Sequence, residues 1–515
     1  MNKMSHFQQQ CYNIVTDPNL SPKQKAHQLA LAAENNLPYV ELDSATKTAL
    51  DERVICDMYE GNAPYKPRYV LPDYSKFLQQ GSEWLELAPA KDFDDALNML
   101  TIIYHHVPSV TGMPVYLGCL DNVLLPYVGT QTEEELYPKL KRFWIMLDRD
   151  LPDAFMHANI GPTDNILSRL FLRIDKELKQ VAPNLTFIYD KNITPESLLM
   201  LAIDSVCETG KPHIANNNMI AKDFDEQGYG VVSCYNSLPI AGGGNTLSRI
   251  NLKEVALRSK NSDDFLQNLL PHYCQLQLNL INARTSFLYE KSQFFESSFL
   301  VHEGLIDPKR FAPMFGLFAM AEAVNILQEK ENQTGRYGFD DRANQLGIKI
   351  SQQLAEFVDT HTVKYGWHNK AMLHSQSGIS IDHELTPGAR LTPGTEPDPV
   401  NHIMSVVGHH KYYSSGISDI LTVDETIKNN KQALLKICLA GFELGMREFT
   451  ANVTGSDLIR VTGYMVRLSD IAKFKEQGSR LNTTVLGSEA SELKNGFLHR
   501  QPRVISNEQV MGNRQ

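Results

Sequence analysis

The stretch TGSDLIRVTGYMVRLSD, residues 454–470, places Gly463 between two short apolar runs near the C-terminal end of the sequence. A glycine between two strand-like runs usually forms a turn or a β-bulge, which is the simplest interpretation. Glycine also permits a chemistry that other residues resist. Loss of its Cα hydrogen leaves a planar carbon radical, and no Cβ opposes that planar geometry. The segment therefore predicts either an ordinary turn or a backbone position that stores a radical.

A second segment, upstream, contains a candidate partner for this glycine. Cys234 ends the strand-like run 230–234, and the glycine-rich stretch 242–245 follows shortly after it. Taken alone, Cys234 is most simply a small buried side chain without a chemical role. The alternative is a catalytic thiol, which the surrounding sequence must indicate. Together, the two residues and the glycine-rich stretch favour the catalytic interpretation.

Both segments resemble known sequence patterns. The radical-bearing motif of glycyl radical enzymes, Arg-Val-(Ser/Ala/Thr)-Gly-(Tyr/Phe), is matched by Arg460, Val461, Thr462, Gly463 and Tyr464. The region of Cys234 is similar to the active-site region of anaerobic (class III) ribonucleotide reductases, where glycine-rich and Thr-Ile-Asn-Leu segments follow the cysteine. Over nearly its full length, the chain resembles the YjjI family of glycyl radical enzymes.

This resemblance implies a fold and a domain arrangement. The expected fold is a ten-stranded α/β barrel surrounded by helices, in which two five-stranded parallel halves run antiparallel to each other. Two loops would meet inside the barrel, one carrying Cys234 and the other Gly463. We expect a catalytic barrel with an N-terminal helical region over residues 1–450, and a C-terminal glycyl radical unit over residues 451–515.

The resemblance also implies an activity and a partner. A thiyl radical on Cys234 would abstract hydrogen from a small substrate, which we expect to be hydroxylated, in an anaerobic and oxygen-sensitive reaction. No permanently bound cofactor is implied. The radical would be installed by a separate S-adenosylmethionine-dependent iron–sulfur activase, since the chain lacks a cysteine-rich motif for such a cluster. Formation of a homodimer stays open.

Three departures from related families narrow the reaction. Glycyl radical dehydratases and decarboxylases carry Cys-x-Glu, whereas Asn236 occupies the position of that glutamate. Pyruvate formate-lyase uses two adjacent cysteines, whereas Ser233 precedes Cys234. Class III reductases carry a C-terminal four-cysteine zinc site, and no cysteine follows Cys438. Ribonucleotide reductase-like activity is therefore the alternative enzyme function, and a non-catalytic binding or scaffold protein is the alternative of another class.

Other candidate residues carry weaker signals. Cys119 ends the strand-like run 115–119 and could act as a second thiol, although a structural thiol is the simpler interpretation. Asn236 and Glu396 are candidates for substrate contact. Glu396 lies in a proline-rich stretch and could also act as an acid or base, whereas a solvent-facing carboxylate is the simpler alternative. No histidine spacing indicates a metal site.

Composition limits the partners and the location. The chain has 515 residues and a formal net charge of −11, which argues against nucleic-acid binding because phosphate contacts need clustered Lys and Arg. The N-terminal segment lacks the apolar core of a signal peptide, and no apolar run is long enough to span a bilayer. We therefore expect a cytoplasmic protein without a membrane partner.

Residue periodicity predicts an α/β fold in which helices alternate with short buried strands. Residues 380–420 are predicted to be an extended, turn-rich segment because proline and glycine recur there. The predicted helices cover residues 21–33, 194–208, 262–295, 310–330, 342–360 and 425–449.

Overall fold

The computed structural model describes residues 4–18, 20–58, 60–110, 112, 114–151, 155–375, 385–417, 419–460 and 465–477. The strands within these ranges are β1 (Ile55–Cys56), β2 (Tyr69–Leu71), β3 (Tyr116–Cys119), β4 (His157–Ile160), β5 (Asn184–Tyr189), β6 (His213–Asn216), β7 (Tyr229–Val232), β8 (Asn236–Pro239), β9 (Gly242–Asn251), β10 (Phe311–Phe318), β11 (Met372–Ser375), β12 (Leu421–Val423), β13 (Glu448–Phe449), β14 (Ala451–Val453), β15 (Leu458–Arg460) and β16 (Met465–Arg467). The α-helices are α1 (His6–Thr16), α2 (Pro22–Glu34), α3 (Ser44–Asp51), α4 (Tyr74–Gln80), α5 (Phe93–Tyr104), α6 (Leu120–Leu124), α7 (Glu133–Asp150), α8 (Ile166–Leu178), α9 (Glu196–Thr209), α10 (Asn217–Ile220), α11 (Leu252–Arg258), α12 (Ser262–Asp264), α13 (Leu270–Glu290), α14 (Phe294–Ser297), α15 (Phe299–His302), α16 (Met320–Lys330), α17 (Asp341–Thr360), α18 (Pro399–His410), α19 (Lys431–Leu444) and α20 (Leu468–Gln477).

Helix starts follow the local chemistry of the sequence. Helix α2 begins at Pro22 and α9 begins directly after Pro195, close to the predicted starts. Pro271 lies in the first turn of α13, where its missing N–H removes no helical hydrogen bond. The helix predicted over residues 262–295 is therefore divided before this proline, and a π-helical turn at residues 265–269 joins the two parts.

The helix predicted over residues 310–330 is wrong in its first half. Residues Phe311–Phe318 form β10, which is buried along its whole length and pairs with both β9 and β11. A continuous apolar run is compatible with either a buried strand or a buried helix, so periodicity could not separate them. Only Met320–Lys330 is helical.

Two other predicted boundaries also differ. The segment predicted to be turn-rich contains helix α18, which begins at Pro399 and is capped by the Asp398 side chain. The helix predicted over residues 425–449 ends at Leu444, where Gly445 adopts a left-handed conformation, and the chain then enters β13. Pro399 starts a helix and Gly445 ends one. The sequence interpretation treated proline only as a turn residue and did not place a helix end at this glycine.

Two five-stranded sheets lie at the centre of the described fold. Sheet 1 has the order β13-β6-β5-β4-β3, with β3 to β6 parallel and β13 antiparallel at the edge. In sheet 2, β9, β10 and β11 are parallel, whereas β1 and β2 both pair antiparallel with β9. The prediction that all five strands of each half are parallel is therefore wrong at these three outer strands. They are two or three residues long, so no periodicity in the sequence encodes their direction.

A β-hairpin formed by β7 and β8 packs between the two sheets. Strand β7 contacts β3 and β4 of sheet 1, and β8 contacts β9 and β10 of sheet 2. Asn159 of β4 fixes β7 in place: its Nδ2 donates to the Val231 carbonyl at 2.8 Å, and the Val231 N–H donates to its Oδ1 at 2.8 Å. The hairpin tip therefore lies among side chains from both sheets.

The C-terminal strands pack on the rest of the chain. Strand β14 pairs in parallel with β12, and β15 pairs with β16 so that Arg460 is opposite Met465. The division at residue 450 stays a prediction. Residues 461–464, which include Gly463, and residues 478–515 lie outside the described residues. Within the described part of the chain, no helix is long and apolar enough to cross a membrane.

Candidate active site

Cys234 occupies the tip of the β7–β8 hairpin. Val232 and Asn236 are paired, and Ser233, Cys234 and Tyr235 form the loop between them. Ser233 and Tyr235 have φ values of +49° and +62°, a left-handed conformation that costs about 1–2 kcal/mol for a residue with a Cβ. Cys234 is only 7% exposed. The surrounding structure must therefore hold this loop in place, and such strain is often found at functional sites.

A chain of hydroxyl groups reaches the Cys234 sulfur from β2. The Tyr69 hydroxyl donates to Ser233 Oγ at 3.1 Å, and Ser233 Oγ donates to Cys234 Sγ at 3.8 Å. Burial raises the pKa of Tyr69, so its phenol stays protonated at neutral pH. The sulfur is therefore an acceptor at the end of two successive hydroxyl donors.

A buried ion pair lies behind Tyr69. The Arg68 guanidinium lies 5.0 Å from the centroid of the Tyr69 ring, and its Nη1 is 3.2 Å from Glu60 Oε1. Glu60 also accepts hydrogen bonds from Thr246 Oγ1 at 2.5 Å and from the Leu247 N–H at 2.9 Å. We call Glu60, Arg68, Tyr69 and Ser233 the ionic side of the loop, because it contains the buried Arg68–Glu60 ion pair.

A second row of polar side chains crosses sheet 1 next to the loop. His157 Nε2 is 2.6 Å from Thr186 Oγ1, and Thr186 Oγ1 is 3.0 Å from His213 Nδ1. His213 Nε2 lies 3.8 Å from Glu448 Oε2, beyond hydrogen-bond distance. The His213 ring packs on Tyr235, with ring centroids 4.2 Å apart. All four side chains of this row are buried.

Burial removes the charge from this row. It lowers the pKa of His157 to about 3, with the nearby Arg460 adding to the effect. It also lowers the pKa of His213 well below its ordinary value. For Glu448, burial raises the pKa well above its ordinary value, and Arg447 and the Ile417 backbone oppose this only in part. Burial therefore favours the neutral form of both imidazoles and of the carboxyl, so we call His157, Thr186, His213 and Glu448 the neutral row.

The first residue of the predicted radical motif lies beside this site. The Arg460 guanidinium is 5.5 Å from the centroid of the Tyr235 ring, and its Nη2 donates to the Gly210 carbonyl at 3.2 Å. The Arg460 backbone N–H and carbonyl both bond to the Asn452 side chain, at 2.9 and 2.8 Å. The structure thus brings Arg460 next to the residue that follows Cys234. The other motif residues lie outside the described residues: Val461, Thr462, Gly463 and Tyr464.

Gly416 supports the loop from another direction. Its φ is +98°, and a Cβ at this position would lie 1.8 Å from the Tyr235 carbonyl oxygen. The preceding Ser415 accepts a hydrogen bond from the Ser237 N–H at 3.3 Å. Only glycine allows this approach, so the loop at 415–416 fixes the backbone directly after Cys234.

The other predicted site residues lie in different surroundings. Asn236 is buried beside Cys234; its Nδ2 donates to the Val232 carbonyl at 3.1 Å, and its Oδ1 has no hydrogen-bond partner among the described residues. Glu396 lies elsewhere, where its Oε2 accepts from the Gly394 N–H at 2.7 Å, near the His402–Asp419 pair. Asn236 therefore lies at the hairpin tip, whereas no described contact joins Glu396 to Cys234.

Cys119 ends β3 and bonds with its own surroundings. Its Sγ donates to the Gly161 carbonyl at 3.3 Å and accepts from Asn122 Nδ2 at 3.2 Å. Burial raises the pKa of the Cys119 thiol well above its ordinary value, and the Asp121 carboxyl adds to this. None of the hydrogen bonds of its sulfur is with the hairpin, so the role of Cys119 as a second thiol stays a prediction.

Sequence reasoning missed most of the side chains that surround the thiol. Arg68 and Tyr69 directly precede an apolar run, and Glu448 lies between Arg447 and an apolar strand. Charged residues are rarely buried in protein cores. A charged residue directly beside a strongly apolar strand therefore stands out in the sequence as a candidate for a buried, paired polar group. Among the described residues, no group of three or more His, Cys, Asp or Glu side chains is arranged to hold a metal ion.

Comparison with known proteins adds to this geometry. Residues 20–503 match the family described as "Glycyl radical enzyme YjjI-like". The chain is 63% identical over 505 residues to YjjI of Escherichia coli (strain K12), with 98% of each chain covered.

Solved structures show the same fold. Hydroxyproline dehydratase from Clostridioides difficile is similar with a TM-score of 0.68 and 11% identity, over 93% of this chain and 88% of that chain. The anaerobic ribonucleotide reductase from Thermotoga maritima is similar with a TM-score of 0.64 and 13% identity, over 92% of this chain and 90% of that one. The α/β barrel class that the sequence predicted is thereby confirmed, whereas identities this low show the fold alone.

Proposed function

The chain belongs to the YjjI-like family of glycyl radical enzymes, and from this premise we propose that Gly463 stores the radical and Cys234 uses it. It is thus an enzyme of the anaerobic, organic-radical class, in which a separate activase generates the radical. In the proposed cycle, the Cys234 S–H gives its hydrogen atom to the Gly463 Cα radical, which leaves a thiyl radical on sulfur. The thiyl radical takes a hydrogen atom from a substrate carbon, and the same steps in reverse restore the stored radical.

The observation that carries this proposal is the contact between Arg460 and Tyr235. Gly463 follows Arg460 by three residues, and three residues of chain span at most about 11 Å. The Arg460 guanidinium lies 5.5 Å from the centroid of the Tyr235 ring, and Tyr235 follows Cys234 directly. This limits how far Gly463 can lie from the hairpin tip, as short-range hydrogen-atom transfer requires.

We further propose that the substrate is small and hydroxylated. Asn236 Oδ1 lacks a hydrogen-bond partner among the described residues. A buried polar group without a partner costs about 1–3 kcal/mol, which a hydroxylated ligand could relieve. Hydroxyproline dehydratase and ribonucleotide reductase, two structurally similar enzymes, act on hydroxylated compounds by name. Ribonucleotide reductase-like activity has less support, because the Cys119 sulfur bonds with Gly161 and Asn122.

Electron paramagnetic resonance of the anaerobically activated protein tests the radical pair without knowledge of the substrate. Activation by the S-adenosylmethionine-dependent activase should give a doublet, because one hydrogen remains on the Gly463 Cα. In D2O the doublet should narrow to a single line, because the Cys234 thiol exchanges with solvent and returns deuterium to the glycine.

Three variants complete this test. Gly463→Ala should abolish the signal, and Cys234→Ser should keep a doublet that no longer narrows in D2O. Cys438→Ser, which changes another buried thiol, should behave like the wild type. A signal that survives Gly463→Ala would refute the storage site, and an activated wild-type protein without any radical would favour a non-catalytic scaffold.

A further inference from the structure

We propose that Tyr69 and Ser233 form a hydroxyl chain that orients the Cys234 thiol and carries its exchangeable hydrogen. The proposal rests on the radical role proposed for Cys234 and assigns positioning residues to it. Neither residue belongs to the sequence motif around Gly463.

The geometry of the chain determines the direction of the thiol. Tyr69 OH donates to Ser233 Oγ at 3.1 Å, and Ser233 Oγ donates to Cys234 Sγ at 3.8 Å. Because the sulfur accepts from Ser233, its own S–H hydrogen points away from this serine. All three side chains are buried, so bulk water does not compete for these bonds. The chain therefore aims the hydrogen that the proposed cycle transfers.

The glycine-rich stretch of β9 holds Tyr69 in position. Gly243 pairs with Val70 of β2 and has a φ of +148°, and a Cβ on Gly243 would lie 2.0 Å from the Tyr69 carbonyl oxygen. Arg68, which directly precedes Tyr69 in the sequence, places its guanidinium over the Tyr69 ring. Absence of a side chain at residue 243 thus lets β2 approach closely enough for its tyrosine to reach the Cys234 loop.

The same chain can pass a proton between the Cys234 thiol and water at the Tyr69 end. Serine and tyrosine hydroxyls both donate and accept hydrogen bonds. In the reversed direction, the Cys234 S–H donates to Ser233 Oγ while Ser233 donates to the Tyr69 oxygen. For exchange, the thiol proton passes to Ser233 Oγ as the Ser233 proton passes to the Tyr69 oxygen and the Tyr69 proton passes to a water molecule. The same transfers in reverse return a deuteron from D2O to the sulfur, so atoms and charge balance over the exchange.

The rate at which the glycyl doublet narrows after transfer to D2O measures this exchange. Tyr69→Phe and Ser233→Ala should each slow the narrowing by about tenfold or more, the factor that corresponds to loss of one hydrogen bond. The yield of radical in H2O should stay at the wild-type level. Ser233→Gly, which also lacks the hydroxyl but accepts a left-handed backbone, should be slowed as Ser233→Ala is.

One control variant and the behaviour of the wild type make the outcomes distinct. Tyr74→Phe removes another buried tyrosine hydroxyl, which donates to the Tyr116 carbonyl at 2.8 Å, and should leave the rate unchanged. If the wild-type doublet never narrows, the radical role of Cys234 fails, and the hydroxyl chain with it. If the wild type narrows and the Tyr69 and Ser233 variants keep its rate, only the hydroxyl chain is refuted. A slow Tyr69→Phe beside normal Ser233 variants also refutes it, because the path would then not pass through Ser233.

Discussion

The polar side chains on the two sides of the Cys234 loop differ in charge: one side contains a buried ion pair, and the other contains groups whose charged forms are disfavoured. On the ionic side, Arg68 and Glu60 form a buried ion pair at 3.2 Å. In the neutral row, His213 and Glu448 lie 3.8 Å apart, and burial disfavours the charged form of each. A buried charge needs a partner with good geometry, and a titratable group without one shifts its pKa instead. The comparison teaches that one side of the loop depends on an ion pair and the other depends on pH.

Breaking the ion pair should have the largest effect. Glu60→Gln leaves the Arg68 and Arg284 guanidinium groups buried without this carboxylate, and removal of one partner from a buried pair costs about 3–5 kcal/mol. Urea unfolding at pH 7 would measure the loss. Glu52→Gln is the matched control, because Glu52 forms an exposed pair with Arg258 at 3.3 Å and should change stability by less than about 1 kcal/mol. Equal effects of the two substitutions would contradict the contrast between buried and exposed pairs.

Lowering the pH should destabilise the folded protein through the neutral row, by less than loss of the ion pair does. The folded-state pKa of His157 is about 3, below the ordinary value near 6.5, so its contribution to stability is present above pH 6.5 and is lost as pH falls toward 3. At pH 5 this loss amounts to about 2 kcal/mol relative to pH 7. His157→Gln cannot take up the proton, so its unfolding free energy should fall less between pH 7 and pH 5.

Urea unfolding at both pH values would measure how far the unfolding free energy of each protein falls between pH 7 and pH 5. His272→Gln is a suitable control, since His272 is exposed and its substitution should leave the fall seen in the wild type unchanged. If the unfolding free energy of His157→Gln falls with pH as much as that of the wild type, protonation of His157 is not what destabilises the protein in acid.

The smallest effect at pH 5 is expected at Glu448. Its folded-state pKa is raised, so its contribution to stability is complete below the ordinary carboxyl pKa and is lost as pH rises toward the folded value. Glu448→Gln resembles the protonated carboxyl, so at pH 5 it should change the unfolding free energy by only about 1 kcal/mol. As pH rises to 8, the variant should become progressively more stable relative to the wild type. Exposed Glu443→Gln should show no such trend, and a decline of Glu448→Gln with pH would mean that the carboxyl is ionised in the folded protein.

Local patterns in the sequence predicted some parts of this site and not others. Cys234 and Arg460 belong to short motifs, so the sequence pointed to both before the structure placed them near each other. Tyr69 and Glu448 contact the same loop from strands that are distant in the sequence, and their contacts depend on how the two sheets pack. The predicted helix at 310–330 failed for a related reason. Burial on both faces of β10 comes from its neighbours β9 and β11, which residue spacing does not record.

Two tyrosines at the Cys234 loop each have an arginine over the ring: Tyr69, which is hydrogen-bonded to Ser233, and Tyr235, which belongs to the loop. The guanidinium of Arg68 is 5.0 Å from the Tyr69 centroid, and that of Arg460 is 5.5 Å from the Tyr235 centroid. A cation over the face of a ring is attracted to its electrons and raises the reduction potential of the corresponding ring radical. One-electron oxidation of these phenols by the thiyl radical proposed for Cys234 would therefore be disfavoured, whereas hydrogen-atom transfer between the Cys234 sulfur and a carbon, which moves no net charge, would not be opposed. In the proposed cycle, Arg460 would thus oppose one-electron oxidation of Tyr235, the residue that follows Cys234.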